Sequence, residues 1–190
     1  ASAIAAEASR RGLAVEAAQQ VVSTPGVGVE GVVREEVITD LDELESRVAL
    51  CFTGAPRNSG INNWEMYKKH IDREGDIVER FDRIRDTALK IDDALTAKAF
   101  DQVGSIFAEE WASRRELVPT ITTPFIDELI EIAKQDGGEA AKVCGAGGGG
   151  CVAFYCQPGR KADVEAALAK AGGHVINYRI AREGLTVTQK

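Results

Sequence analysis

Apolar residues recur at helical spacing in two long stretches near the middle of the chain. Over Ile77 to about Ala97, the residues Val78, Phe81, Ile84, Ala88, Ile91 and Leu95 fall close to a 3.6-residue period, with charges opposite. Phe100 to Leu117 repeats the pattern with Val103, Ile106, Phe107 and Trp111. Both read as amphipathic helices whose stripes pack into a core, and Ile61 to Ile71 reads as a shorter one. A further helix is announced by its own start signals: Thr123 as N-cap, Pro124 at the first position, and Asp127 and Glu128 in the first turn. Its buried stripe is Phe125, Ile126, Leu129, Ile130 and Ala133, and Gly137-Gly138 ends it. Ala162 to Ala171 is amphipathic and stops at Gly172-Gly173.

Strand patterns fall between these helices. Arg47 to Thr53 is the first strong one, followed by a polar turn, Gly54 to Gly60, that carries one cation. That turn reads either as a functional loop at a strand end or as a plain strand-to-helix connection capped by Asn58 or Ser59. Ala141–Cys144 and Cys151–Cys156 are strands, Pro158-Gly159 is a turn, Val175 to Ala181 alternates as a strand, and Leu185 to Thr188 is a candidate last one. Toward the start, Ala1 to Val22 reads as an Ala-rich helix, Ser23 to Gly31 as a breaker-rich linker with a second phosphate loop as the lesser alternative, Val32 to Thr39 as an edge strand, and Asp40 to Glu45 as an acidic turn or short helix. From Arg47 onward the order is strand, helices, strand, strand, helix, strand. It predicts an α+β fold: a ferredoxin-like antiparallel sheet with additional helices, the helices lying on one face.

The stretch Gly145-Ala146-Gly147-Gly148-Gly149-Gly150 interrupts two apolar strands. Glycine loses the most backbone entropy on folding, so this density is tolerated where positive φ or a very close approach is needed. Successive amides in such a loop can form a concave anion site, and the expectation is that a phosphorylated ligand rests there. A P-loop needs Lys-Ser or Lys-Thr next, and a dinucleotide fold needs a helix; here Cys151-Val152 opens a strand. The alternative is a plain turn between strands.

Composition narrows the partners. The chain of 190 residues is 44% hydrophobic and 28% charged, with a net charge of −7. That charge argues against a broad nucleic-acid or membrane surface, so any phosphate must be met by a few local cations and amides. No secretory signal and no apolar run long enough to span a bilayer is read from the sequence. Cys51, Cys144, Cys151 and Cys156 sit in apolar runs without metal-ligand spacing to His70 or His174, which reads as core thiols in a reducing cytoplasm. No metal site is found. Arg114-Arg115 reads as a solvated surface pair, with contact to a phosphate as the lesser alternative, and Lys142 as a strand residue with a solvated head.

The segment Lys142 to Cys151 resembles the third conserved motif of the galactokinase, homoserine kinase, mevalonate kinase and phosphomevalonate kinase (GHMP) family. Thr123-Pro124 with Ile126-Asp127, and Thr53-Gly54 with Arg57-Asn58-Ser59, are similar to the C-terminal half of that family, and most of all to heptose-7-phosphate kinase-like sugar kinases. The resemblance runs from about Val48 to Val187. It implies a C-terminal kinase domain over 47–190, with 1–46 a remnant of the N-terminal domain or a linker. It implies a kinase acting on a small sugar or sugar phosphate with ATP and Mg²⁺. Carried over, Gly145, Ala146, Gly147, Gly148, Gly149 and Gly150 line the nucleotide and substrate loop. Thr53, Arg57, Asn58 and Ser59 face the substrate, and Arg57 is the cation for a sugar phosphate.

The chain departs from the family in its first part. No Pro-x-x-x-Gly-Leu-Gly-Ser-Ser stretch is present, although Ala1-Ser2-Ala3 could be the end of one. Around Thr24–Gly31, where the family carries its catalytic Asp, Glu30 is the only acid. No catalytic residue and no Mg²⁺ ligand is therefore assigned, and the expected partners are a small-molecule substrate and an N-terminal kinase half. Self-association into a homo-oligomer stays open. Two other readings remain: a non-catalytic ferredoxin-like ligand-binding or regulatory module, and a redox protein using Cys144 and Cys151.

Overall fold

The computed structural model describes residues 21–22, 32–33, 39–56 and 59–182, with backbone alone for 21–22, 32–33 and 59–62. Its contacts divide the chain between Ile38 and Thr39. In the first unit, β1 (Val21–Val22) pairs antiparallel with β2 (Val32–Val33), Val21 opposite Val33. Val21 and Val22 are thus strand, not the end of the expected N-terminal helix. The rest of that helix, the linker and the edge strand beyond Val33 lie outside the described residues up to Ile38.

The second unit opens with α1 (Leu41–Arg47), whose N-cap Asp40 accepts from the Glu43 amide at 3.1 Å. There follow β3 (Val48–Phe52), α2 (Ser59–Asp72), α3 (Ile77–Thr96), α4 (Phe100–Arg114) and a 3₁₀ turn at Pro119–Ile121. Next come α5 (Pro124–Gln135), β4 (Gly138–Val143), β5 (Cys151–Cys156), α6 (Lys161–Lys170) and β6 (His174–Val175). As expected, Thr123 caps α5 through its Oγ1, which accepts from the Ile126 amide at 3.2 Å.

The sheet order is β4-β5-β3-β6, with every neighbouring pair antiparallel. This is the order of a split β-α-β-β-α-β unit with α2, α3 and α4 inserted in its first crossover. One expectation fails: the helices do not lie on one face. Ala49 and Phe154 are opposite each other and pack with Leu129 and Ala133 of α5 and Val164 and Leu168 of α6. The next pair, Val48 and Tyr155, packs with Ala94, Val103, Ile106 and Phe107 of α3 and α4. Successive strand residues point to opposite faces, so the sheet is covered on both. β5 is apolar throughout, as a strand buried on both faces is. Tyr155 reaches through this second layer to donate its hydroxyl to Phe100 O at 2.8 Å.

The expected strand Val175–Ala181 is shorter than its alternation suggests. The ladder ends soon after β6, with the Ile176 amide on Leu50 O at 2.8 Å. Beyond it side chains replace the ladder: Tyr178 donates to Val48 O at 2.9 Å, and Glu45 accepts from the Ile180 amide and from Arg179, each at 2.8 Å. The candidate strand at Leu185–Thr188 lies outside the described residues.

Candidate functional site

The β4–β5 connection holds the glycine-rich loop, and its backbone explains its composition. Gly145, Gly147, Gly148, Gly149 and Gly150 all have positive φ, from 74° to 140°. Two of them are also required by the protein itself. A Cβ on Gly147 would lie 2.4 Å from Ile121 O, and one on Gly149 would lie 2.9 Å from Ala55 O. The loop is wedged between the 3₁₀ turn and the turn after β3. The Gly148 amide donates to Ile121 O at 2.8 Å, the Gly150 amide to Ala55 O at 2.9 Å, and the Thr53 amide to Gly150 O at 2.9 Å. From sequence, a bound phosphate is the expected reason for the missing side chains. At Gly147 and Gly149 the neighbouring backbone gives a sufficient reason, and the amides of Gly148 and Gly150 are already engaged.

The opening lies at the other end of the loop. Gly145 is exposed, while Ala146, Gly147 and Gly149 are buried. Gly145 borders two clefts. One, of about 390 Å³, runs between α4 and the β4–β5 pair and is lined by Phe107, Arg114, Lys142, Cys144, Gly145 and Ala153, among others. The second, of about 270 Å³, adds Met66 and Tyr67 of α2 and Phe81 and Ile84 of α3 to Arg114, Gly145 and Ala146. Arg114 and Gly145 are common to both.

Of the residues expected at the site, Thr53 is brought to the loop through its backbone. Its side chain is buried, with the hydroxyl 3.5 Å from Ala55 O, a length at which a hydrogen bond is weak. Arg57 and Asn58 lie outside the described residues. Ser59 opens α2, and its backbone alone is described.

Two cations that the sequence reading placed in solvent are instead held at the cleft. Glu110, with 8% of its side chain exposed, accepts from Arg114 Nε at 2.6 Å and from Lys142 Nζ at 2.8 Å, both on Oε1. Lys142 also lies over the Phe107 ring at 5.6 Å. The solvated readings of Lys142 and Arg114 are corrected: α4 covers the outward face of β4 and brings Glu110 to them. Arg115 is the more exposed of the arginine pair, meeting Asp127 at 3.3 Å. A sequence signal existed in the spacing of Glu110 and Arg114, four apart on a helix, but the reach to Lys142 depends on tertiary packing.

None of the four cysteines is joined in a disulfide. Burial pushes Cys51 and Cys156 up to about 11, so both stay protonated at neutral pH. Cys144 and Cys151 flank the loop, with the Cys144 amide on Cys151 O at 2.8 Å. Among the described residues no group of three or more His, Cys, Asp or Glu is placed to hold a metal ion, and no helix is long and apolar enough to cross a membrane.

Comparison with known proteins places this architecture. Residues 91–174 match the family described as GHMP kinases C terminal. The D-glycero-alpha-D-manno-heptose 7-phosphate kinase of Campylobacter jejuni is 27% identical over 143 residues, covering 75% of this chain and 42% of that protein. A mevalonate kinase of Pyrococcus horikoshii is 39% identical over 69 residues, covering 36% of this chain and 20% of the kinase. The structure of the Methanococcus jannaschii mevalonate kinase shares the fold, with a TM-score of 0.61 at 22% identity, over 78% of this chain and 44% of that one. The chain thus spans less than half the length of these relatives. Over residues 91–174 the chain is similar to GHMP kinase C-terminal domains, and it resembles sugar and mevalonate kinases in sequence and fold.

Proposed function

We propose that the chain is the C-terminal portion of a small-molecule kinase that moves the γ-phosphoryl group of ATP to a hydroxyl of a sugar or sugar phosphate. In that reaction the hydroxyl oxygen bonds to the γ-phosphorus, the bond to the bridging oxygen breaks, ADP leaves, and the hydroxyl proton passes to a base. The observation that carries the reading is a coincidence of place. The part matching the kinase family contains the loop at Gly145–Gly150, and Gly145 and Arg114 line both clefts beside it.

Such chemistry consists mainly of positioning and of neutralising charge on a phosphoryl group in flight. This chain contributes a rigid loop and cations within reach of an anionic ligand. The turn after β3, with Arg57, Asn58 and Ser59, serves the acceptor in this reading, supported by the bonds joining Thr53 and Ala55 to Gly150. Among the described residues no group of three or more His, Cys, Asp or Glu is placed to hold a metal ion, and in this reading the base and the Mg²⁺ ligands belong to an N-terminal half. A cytoplasmic setting agrees with four cysteines that form no disulfide.

A coupled ADP-release assay on the intact protein, with sugars, sugar 7-phosphates and mevalonate as acceptors, tests the proposal. Turnover with a sugar or sugar phosphate is expected; none with any acceptor overturns it. A second reading, a non-catalytic ligand-binding module, is favoured by the Gly148 and Gly150 amides being spent on protein carbonyls. It predicts ligand binding without ADP release.

A further inference from the structure

Glu110 is paired in an unbalanced way. One carboxylate faces two cations, and both meet the same oxygen: Arg114 through Nε at 2.6 Å and Nη2 at 2.5 Å, and Lys142 through Nζ at 2.8 Å. The other oxygen, Oε2, is buried and has no hydrogen-bond partner among the described residues. The cluster therefore carries one positive charge more than it needs. Its two cations are each 24% exposed in the side chain, and both line the cleft of about 390 Å³.

A half-buried excess charge is costly unless an anion meets it. Arg114 and Lys142 retain donors that Glu110 does not use, since a guanidinium has five N–H groups and an ammonium three. No other described residue accepts from either side chain. Gly145, on the same cleft wall, is exposed with φ of +89°, and its amide donates to no acceptor among the described residues. These donors come from three separate elements, α4, β4 and the loop, and a phosphate has more acceptor oxygens than a carboxylate with which to meet all three.

We propose that Arg114 and Lys142, oriented by Glu110 and assisted by the Gly145 amide, bind the phosphate group of a ligand in the cleft between α4 and β4. The site takes a phosphate ester. Its source, the nucleotide or a phosphorylated acceptor, rests on the kinase reading; the anion site itself does not. Glu110 acts as a positioning residue that keeps both cations aimed while restraining their affinity.

The test measures binding without turnover. Titration calorimetry on the intact protein would use inorganic phosphate, ADP, mannose 6-phosphate and mannose as probes. Lys142→Met keeps Arg114 on Glu110, so the buried carboxylate stays paired and the fold is retained. It should weaken inorganic phosphate about 10-fold or more, as loss of a charged hydrogen bond does, while Lys142→Arg preserves binding. Glu110→Gln acts in the opposite sense: with the competing charge removed, phosphate binds more tightly. Alongside the loss for inorganic phosphate, a loss for ADP but not for mannose 6-phosphate assigns the site to the nucleotide, and the reverse assigns it to the acceptor. Phosphate affinity unchanged in Lys142→Met overturns the proposal, as does an equal loss for unphosphorylated mannose, or weaker binding in Glu110→Gln. Absence of ADP release with phosphate binding intact would sink the kinase reading and leave this site standing.

Discussion

Gly147 and Gly159 both have positive φ, at +76° and +72°, yet their surroundings differ completely. At Gly159 an added Cβ meets nothing within 4 Å, so Gly159→Ala carries only the left-handed backbone cost of about 1–2 kcal/mol. At Gly147 the methyl group would strike Ile121 O at 2.4 Å, a backbone atom that cannot rotate away. Gly147→Ala should add an overpacking cost of about 1–3 kcal/mol to the same backbone strain. Urea denaturation of the two variants checks this. A midpoint shift for Gly147→Ala no larger than for Gly159→Ala would show that the loop yields where its packing says it cannot. Glycine-rich letters announced an unusual backbone at both positions. Which glycine is crowded, and by what, could not be read from them, because Ile121 and Ala55 are distant in sequence.

At the scale of the element, α5 illustrates local determination. Thr123, Pro124 and the stripe from Ile126 to Ala133 specify a start, a direction and a buried face, and the helix Pro124–Gln135 follows them. The turn that braces the glycine loop at Ile121 leads directly into this cap. Thr123→Ala removes the acceptor for the Ile126 amide and should cost about 1 kcal/mol. For a chain of this size that corresponds to a Tm lower by roughly 2–4 °C, measured by calorimetry, with Thr123→Ser restoring most of it. β6 shows the opposite case. Val175 to Ala181 alternates like a strand, but the ladder stops near Ile176, because Tyr178 and Glu45 offer side-chain bonds that replace further pairing.

Across the whole of the second unit, Glu45 ties its start to its far end. Its backbone oxygen accepts from Lys161 at 2.8 Å, and its carboxylate from the Ile180 amide and Arg179. The Ile180 hydrogen bond holds the carboxyl below its ordinary value of 4.5, against a burial effect of opposite sign, with Arg179 helping. The folded pKa is the lower one, so the contribution is fully present above about 4.5 and is lost as pH falls through the folded value. Hydrogen exchange should show the Ile180 amide losing protection, relative to its intrinsic rate, as the solution is acidified through that window. Glu45→Gln should show reduced protection already at neutral pH and no further acid transition. An acid loss that persists in Glu45→Gln would assign the effect to another group.

The amino-acid sequence determined the periodic helices, the succession of strands and helices along the chain, the α5 cap and the position of the glycine loop, because each depends on neighbours a few residues apart. It also carried the likeness to the kinase family. It did not reveal the second helical layer on the sheet, although the unbroken apolar run of β5 held the clue. Lys142 and Arg114 read as solvated because their common partner, Glu110, reaches Lys142 only once α4 is laid across β4. The roles of Gly147 and Gly149 were likewise decided by turns far away in the chain. Hydrophobic period and capping are local properties, whereas the pairing of buried charges and the closest backbone approaches exist only after distant elements have met.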